Sequence, residues 1–237
     1  GASVQPVPLK MEHGFVPQPG DLRDAITPQS RVLLLNTPHN PSGSVIGRDT
    51  MKAIGDIAIA HDLWIVCDEV YESLIFEGDF CSPLEFAALR ERTIVVSSIS
   101  KSHAATGFRS GWAVGPVEAM RLVLPISETM LFGNQPFIAD MTEAALTNDY
   151  DTAERLRDAL SRRARACQAA FDAAKGLSSF PPKGGMFMMV DVSQTGLSGE
   201  AFAWRLLEEE AVAVMPGESF GVEAGHLIRL GLTLPDD

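Results

Sequence analysis

The chain is poor in cysteine, in clustered basic residues and in long apolar runs, and each shortage closes off a class of function. Cys67, Cys81 and Cys167 are scattered and odd in number, with no C-x-x-C pair. That usage fits a reducing compartment such as the cytoplasm and gives no metal-ligand spacing. No run of about 18 apolar residues occurs, so no membrane span is expected. Lysine and arginine total 19 against 31 aspartates and glutamates, a net charge of -12. A phosphate-backbone binder needs the opposite balance, so nucleic acid is not an expected partner. The densest basic stretch, Arg162-Arg163-Ala164-Arg165, reads as a solvated helix face. The start, Gly1-Ala2-Ser3-Val4, has neither a methionine nor a basic and apolar leader. Val4 to Leu9 reads as an internal strand, the pattern of a fragment. No internal repeat is visible.

What is present is an alternation of short apolar runs with helical spacings, the signature of an α/β protein with a mostly parallel sheet. Arg31 to Asn36, Leu63 to Cys67 and Thr93 to Ser97 read as buried strands, and Gly111 to Gly115 as a fourth. Between the first two, Met51, Ile54, Ile57 and Ala58 recur at helical spacing. From Val117 to about Lys175 the pattern is mostly helical, with Asn148 or Asp149 as the expected cap of a long charged helix. Past Gly176 the texture becomes α+β: strands at Met186 to Val190, Val212 to Met215 and Ile228 to Leu232 flank a helix from Ser198 to Glu210. The expected division is residues 1–160, part of a large α/β domain, and 161–237, a small α+β domain.

Four segments carry chemistry. Lys101 follows an apolar strand and sits among hydroxyl residues in Ser98-Ile99-Ser100-Lys101-Ser102-His103, with Arg109 eight positions on. That setting suits an amine that forms a Schiff base, with Ser98, Ser100 and Arg109 as donors for a phosphate. A nucleotide-binding P-loop needs glycine at two fixed positions before the lysine, and Val95 and Ser100 stand there instead. His103 reads better as a packed, hydrogen-bonded imidazole than as a catalyst. Asp68 in Asp68-Glu69-Val70-Tyr71 closes a buried strand, where α/β sheets bind ligands, and could hold a protonated ring nitrogen or simply cap a helix. Asn40, in Asn36-Thr37-Pro38-His39-Asn40-Pro41-Ser42-Gly43, could offer its amide to a ligand oxygen or satisfy its own turn. Arg229, in the apolar run His226-Leu227-Ile228-Arg229-Leu230-Gly231, needs a carboxylate partner, either a substrate's or one of the protein's own. The loop Pro182 to Phe187 is a weaker candidate to line the same cleft.

The order N-P-x-G, then D-E-V-Y, then S-x-S-K with an arginine eight residues later, then I-R-L-G, resembles the class I/II aminotransferases. These are pyridoxal-phosphate enzymes of the aspartate aminotransferase fold, fold type I. The Ser-Lys-Ser-His-Ala stretch and the segment from Gly184 to Leu232 look closest to arginine–pyruvate transaminases. The resemblance implies that Lys101 joins the cofactor as an imine and later shuttles a proton. It implies that Asp68 holds the pyridine nitrogen and that Tyr71 and Asn40 bond the ring oxygen. Ser98 and Arg109, with Ser100, would bind the phosphate, and Arg229 the substrate α-carboxylate. Amino acids and 2-oxo acids would be the substrates and a homodimer the assembly, with Phe132 to Pro136 toward the partner's site. The family's glycine-containing phosphate loop and ring-stacking aromatic are not in this chain, and the helix after Arg229 is cut short at Pro235-Asp236-Asp237. A β-lyase or decarboxylase on the same scaffold, a cofactor-sensing domain, and an inactive truncated product are the other readings.

Overall fold

Short apolar runs that are buried on alternate residues set up the first of two sheets in this computed structural model, which describes residues 1–234. The expected helix end at Pro235-Asp236-Asp237 lies outside the described residues. A short helix α1 (Pro19–Ala25) precedes strand β1 (Val32–Asn36), helix α2 (Arg48–Ala60), β2 (Trp64–Asp68) and β3 (Thr93–Ser98). One helical turn, α3 (Ile99–Ser102), then leads to β4 (Gly111–Val114). The sheet order is β1-β2-β3-β4; the first three strands are parallel and β4 returns antiparallel to β3. A mostly parallel sheet is thus what the alternation predicts.

Register decides where the chemistry goes. Asn36 lies opposite Asp68, so β1 and β2 finish level, and Asp68 lies opposite Val96, so β3 runs two residues further at the same end. Ser98 is paired with Gly111, which brings the start of β4 to the same end. Helix α2 covers one face: Met51, Ile54, Ile57 and Ala58 are buried and join Leu35, Ile65, Cys67 and Val95 in one cluster. Each such apolar side chain contributes about 1.5–3 kcal/mol. Cys67, at 0% exposure, is a small core residue, as its place in the strand implies.

Three helices follow, α4 (Val117–Leu131), α5 (Pro136–Thr147) and α6 (Thr152–Ala173). The cap of the long helix differs from expectation. Asn148 ends α5 instead, its amide donating back to the Ala144 carbonyl, and Asp151 stands at the N-cap of α6. Arg163 is not merely solvated either, since its guanidinium donates to the Leu232 carbonyl.

The second sheet has the order β5-β6-β8-β7 and is antiparallel throughout. Its strands are β5 (Ser178–Phe180), β6 (Phe187–Asp191), β7 (Met215–Pro216) and β8 (Leu227–Gly231), and α7 (Gly199–Glu210) packs beside it. Ser198 caps α7 by accepting from the Ala201 amide, as its type and place predict. Two strand expectations need correction. Val212 to Met215 shrinks to a two-residue strand whose ladder ends at Pro216, a residue without an N–H to donate. Val4 to Leu9 forms no strand; Pro6 and Pro8 remove alternate ladder donors, and Val4 is exposed. The short β5 had no clear sequence signal, because Ser178-Ser179-Phe180 lacks β-branched residues.

Candidate active site

The site grows from the C-terminal ends of β1, β2 and β3, where successive carbonyls must find donors as the strands stop. Asn36 solves this for two segments at once. Its Nδ2 donates to the Asp68 carbonyl (3.0 Å) and its Oδ1 accepts the Asn40 amide (2.7 Å). The Asn40 turn is thereby tied to the strand that carries Asp68. Nothing in the sequence singled out Asn36 beyond its place in the N-T-P-H-N-P string.

The rest of that turn is rigid. Thr37, Ser42 and Ser44 are almost fully buried, and Thr37 Oγ1 accepts the Ile46 amide (2.9 Å). Ser42 donates to Ser44 Oγ (3.1 Å), and Ser44 donates to the Phe15 carbonyl (2.9 Å). Both hydroxyl protons are then committed, so His39 Nδ1, 2.8 Å from Ser42 Oγ, is the donor in that contact. Burial pushes the His39 imidazole down to about 4, so it is neutral at physiological pH.

Gly43 joins the turn to the loop before β6. Its carbonyl accepts the amides of Lys183 and Gly184, and its φ of 71° lies in the left-handed region. A Cβ there would collide with Pro182 and come within 2.6 Å of the Gly184 carbonyl oxygen. Gly43→Ala should therefore destabilise the fold by about 2–4 kcal/mol, combining backbone strain with overpacking. Urea denaturation checks this, and an unchanged midpoint would refute it. The loop Pro182 to Phe187, a weak candidate in the sequence, thus abuts the site. Gly185 donates to the Leu74 carbonyl, and the Lys183 carbonyl accepts from Phe76.

Asp68 ends β2 with its Oδ1 accepting the Val70 amide (3.0 Å), so one oxygen closes the turn that follows, and no helix begins there for it to cap. Tyr71 follows in the next turn, buried at 5% exposure. Its phenol is raised above the ordinary tyrosine value, first by burial and then by the Asp68 charge, while Arg229 pulls it down. Both charges act on the one phenol. Strand alternation turns Glu69 the other way, into the interior. Ser82 Oγ donates to Glu69 Oε1 (2.9 Å), yet burial still pushes the carboxyl up to about 7.

A carboxyl that holds its proton more tightly when folded stabilises the fold at acid pH, and that contribution is lost as pH rises from the unfolded value, near 4.5, towards 7. His39 works in the opposite sense, destabilising the fold as pH falls from 6.5 towards 4. Between about pH 4.5 and 6.5 the two contributions oppose each other, so Glu69→Gln should expose the His39 limb and make stability climb with pH more steeply there than in the unsubstituted protein. Thermal melts across that range test it, and an unaltered profile would count against a protonated Glu69.

Lys101 lies in the single turn α3, anchored by fully buried Ile99. Ser98 is the N-cap, its Oγ accepting the Ser100 amide (3.2 Å). The Lys101 side chain is half-buried, and among the described residues its amine makes no hydrogen bond or ion pair. It lies 5.9 Å from the centre of the Tyr71 ring. His103 is held on both sides, by Ser102 Oγ (2.8 Å) and the Ala145 carbonyl (2.9 Å), which is the packed imidazole the sequence suggested. Arg109 is the site candidate left outermost. It is exposed, in a left-handed conformation (φ 54°), and donates to the Thr106 carbonyl (3.0 Å). The Ser98–Gly111 pairing puts it at the right sheet end, but no contact joins it to Ser98 or Ser100 among the described residues.

Arg229 comes from the other sheet. Its guanidinium donates to Asn40 Oδ1 (2.9 Å), which leaves the Asn40 amide group as a donor. Burial depresses its basicity. Among the described residues no carboxylate forms an ion pair with it. Instead it lies over two rings, 4.2 Å from the centre of Phe187 and 4.9 Å from that of Phe220. Phe187 also meets the Tyr71 ring edge-on, 6.0 Å between centres. Sequence patterning had no means of pairing these rings with Arg229, since they sit on separate strands and turns.

Grouped around the buried phenol of Tyr71 are an amine and a guanidinium without ion-pair partners among the described residues and a carboxylate with one oxygen uncommitted, with hydroxyls in the helical turn that carries the amine. The set complements a ring bearing a basic nitrogen, an adjacent oxygen, a carbonyl and a phosphate, together with a second, carboxylate-bearing molecule. Known proteins point the same way. The family described as aminotransferase class I and II matches residues 1–237. The chain is 43% identical over 234 residues to the arginine–pyruvate transaminase of Pseudomonas aeruginosa, covering 99% of this chain and 60% of that protein. It is 35% identical over 240 residues to an aspartate/prephenate aminotransferase of Thermus thermophilus, covering 100% of this chain and 61% of that protein. An aromatic aminotransferase structure from Pyrococcus horikoshii superposes with a TM-score of 0.93 at 29% identity, over 97% of this chain and 62% of that one. The T. thermophilus aspartate aminotransferase with maleate superposes at 0.89 and 34% identity, over 97% and 59%. The chain thus spans about three-fifths of the length of these curated relatives.

Proposed function

The chain belongs to the class I and II aminotransferases, and from that membership we propose that it carries the amine, ring-nitrogen and carboxylate-binding groups of a pyridoxal-phosphate-dependent aminotransferase. The observation that carries the reading is the grouping of two cations without carboxylate partners among the described residues, Lys101 and Arg229, around Tyr71, with Asp68 and Asn40 beside them. Bound there, pyridoxal phosphate supplies a carbonyl for amines and a ring that accepts electrons.

The chain's own residues do the rest. The uncommitted oxygen of Asp68 holds a protonated ring nitrogen by a charge-assisted hydrogen bond. Tyr71 and the amide of Asn40 would supply hydrogen bonds to the ring oxygen. Ser98, whose Oγ accepts the Ser100 amide, keeps its own proton and would offer it to the phosphate together with Ser100, and Arg109, at the same end of the sheet, would have to turn inward from the Thr106 carbonyl to join them. Arg229 receives the substrate α-carboxylate on its N–H edge. Lys101 takes the proton from the substrate Cα and returns it elsewhere, as general base and then acid.

The finer parts of the reading rest on the same ground. An arginine donor and pyruvate acceptor are supported by the likeness to the P. aeruginosa enzyme. A homodimer suits helices α4 and α5, which bury no residue and expose Leu122, Leu124, Leu131, Phe132 and Phe137. The division near residue 160 into a large and a small domain is supported by the two sheets, β1–β4 before it and β5–β8 after it, although Tyr71 and Leu74 pack into the second sheet's apolar cluster. A cytoplasmic setting suits three free cysteines.

The test is made with the full-length protein, pyridoxal phosphate and a panel of amino donors, each with pyruvate or 2-oxoglutarate. Amino-group transfer that requires the 2-oxo acid is the expected outcome. Product formed without an acceptor would point to a lyase, and no product from any pair would overturn the reading.

A further inference from the structure

Arg229 is half-buried and has no acid to hold it among the described residues, so something else must fix the direction of its guanidinium. The geometry points to Phe220 as a positioning residue: its ring, with that of Phe187, holds the face of the Arg229 guanidinium and leaves the N–H edge free for a substrate carboxylate. This rests on the role proposed above for Arg229.

The local chain is built to place that ring. In the β7–β8 pair, Met215 lies opposite Arg229 and Pro216 opposite Ile228, so the turn that follows starts next to Ile228, one residue along β8 from Arg229. Gly217 presses the turn onto β8, since a Cβ there would collide with the carbonyl oxygens of Ala224 and Leu227. Phe220, at the end of this 3-10 turn, then lies with its ring centre 4.9 Å from the guanidinium carbon. Phe187 arrives by sheet geometry. Arg229 pairs with Met189, so Phe187, two residues before it on the same face, is the diagonal neighbour. The nearest acid in the turn, Glu218, is turned aside, its Oε1 accepting the Glu200 amide at the start of α7.

Contact through the face has a chemical consequence. A carboxylate of the protein would occupy the same planar donors that a substrate needs, whereas an aromatic ring meets the guanidinium through its π face and consumes none of them. Asn40 takes one donor, and the rest of the fork stays available. A guanidinium restricted before binding also loses less freedom when the carboxylate arrives. Phe220 is 36% exposed, an unfavourable place for a phenylalanine unless the ring is wanted there. Phe187 is less suited to a test because it also packs on Tyr71.

The experiment titrates hexanoate, an unreactive carboxylate, into the full-length protein and its variants by calorimetry, alongside the split between KM and kcat for the amino donor. Phe220→Leu should weaken hexanoate about tenfold and raise KM to match, with kcat changed less than about threefold. Phe220→Tyr keeps the ring and should stay within about twofold of the unsubstituted protein. Equal losses in the leucine and tyrosine variants would overturn the inference, as would unweakened binding in Phe220→Leu. Arg229→Gln separates the two layers. If it loses hexanoate while Phe220→Leu does not, only the positioning role fails. If it binds as well as the unsubstituted protein, the carboxylate role of Arg229 fails and the positioning role with it.

Discussion

Lys101→Ala should lower the turnover of amino-group transfer by about 10⁴-fold, the upper end of what a positioned acid–base group supplies. The structure makes this a clean experiment. The Lys101 amine has no hydrogen bond or ion pair among the described residues, and α3 is held by buried Ile99 and the Ser98 cap. Removing the side chain should therefore change stability by no more than about 0.5 kcal/mol. Lys101→Arg sharpens the point. It retains the positive charge above the Tyr71 ring, but a guanidinium does not give up its proton in a protein, so it should be as inactive as alanine. Borohydride treatment of the unsubstituted protein with pyridoxal phosphate should place the added mass on the Lys101 peptide. Activity within tenfold of normal in either variant would remove Lys101 from the chemistry.

The part of this arrangement legible in the sequence is the part made of neighbours. Buried parallel strands read as continuous apolar runs, so β1, β2 and β3 and the residues at their ends, Asn36, Asp68 and Ser98, could be placed in order. Once strands are parallel, their C-terminal ends converge whatever the loops do. Capping followed the same local logic and failed only where polar residues compete. Asn148, Asp149 and Asp151 all suit an N-cap, and the helix starts at the last, whose carboxylate makes no cap bond but pairs with Arg155 one turn on. Val4 to Leu9 misled because its apolar content looks like a strand while its prolines forbid a regular ladder. What no pattern could reveal is pairing across distance. The Asn40–Arg229 hydrogen bond, the Tyr71–Phe187 contact and the Phe187 ring on Arg229 join segments that lie far apart in the chain, and the Phe220 ring reaches Arg229 across a turn whose path the sequence does not define. Sequence could say that Arg229 needed a carboxylate; only the assembled sheets show that the protein offers rings and an amide oxygen in its place.

Asp68→Asn should cost about 10²-fold in turnover, and the reason separates charge from shape. In the proposed site Asp68 would do two jobs with two oxygens. Oδ1 accepts the Val70 amide, which an asparagine Oδ1 also does, so the turn leading to Tyr71 survives the substitution. What disappears is the negative charge at the other oxygen. A charge-assisted hydrogen bond to a ring nitrogen is about twice as strong as a neutral one, so the nitrogen's proton is held less firmly and electron withdrawal by the ring weakens. A loss of about 2.7 kcal/mol in the transition state corresponds to the stated hundredfold. Tyr71 supplies a second readout that does not depend on turnover. Asp68 is one of the charges that raise its phenol, so neutralising it should move the phenol's ionisation to lower pH. Phenolate absorbance followed without the cofactor, with Tyr71→Phe to identify the signal, measures that shift. Lost turnover with an unmoved phenol would mean that the Asp68→Asn substitution has disturbed the turn. A moved phenol with normal turnover would show that the carboxylate is close to the site yet plays no part in its chemistry.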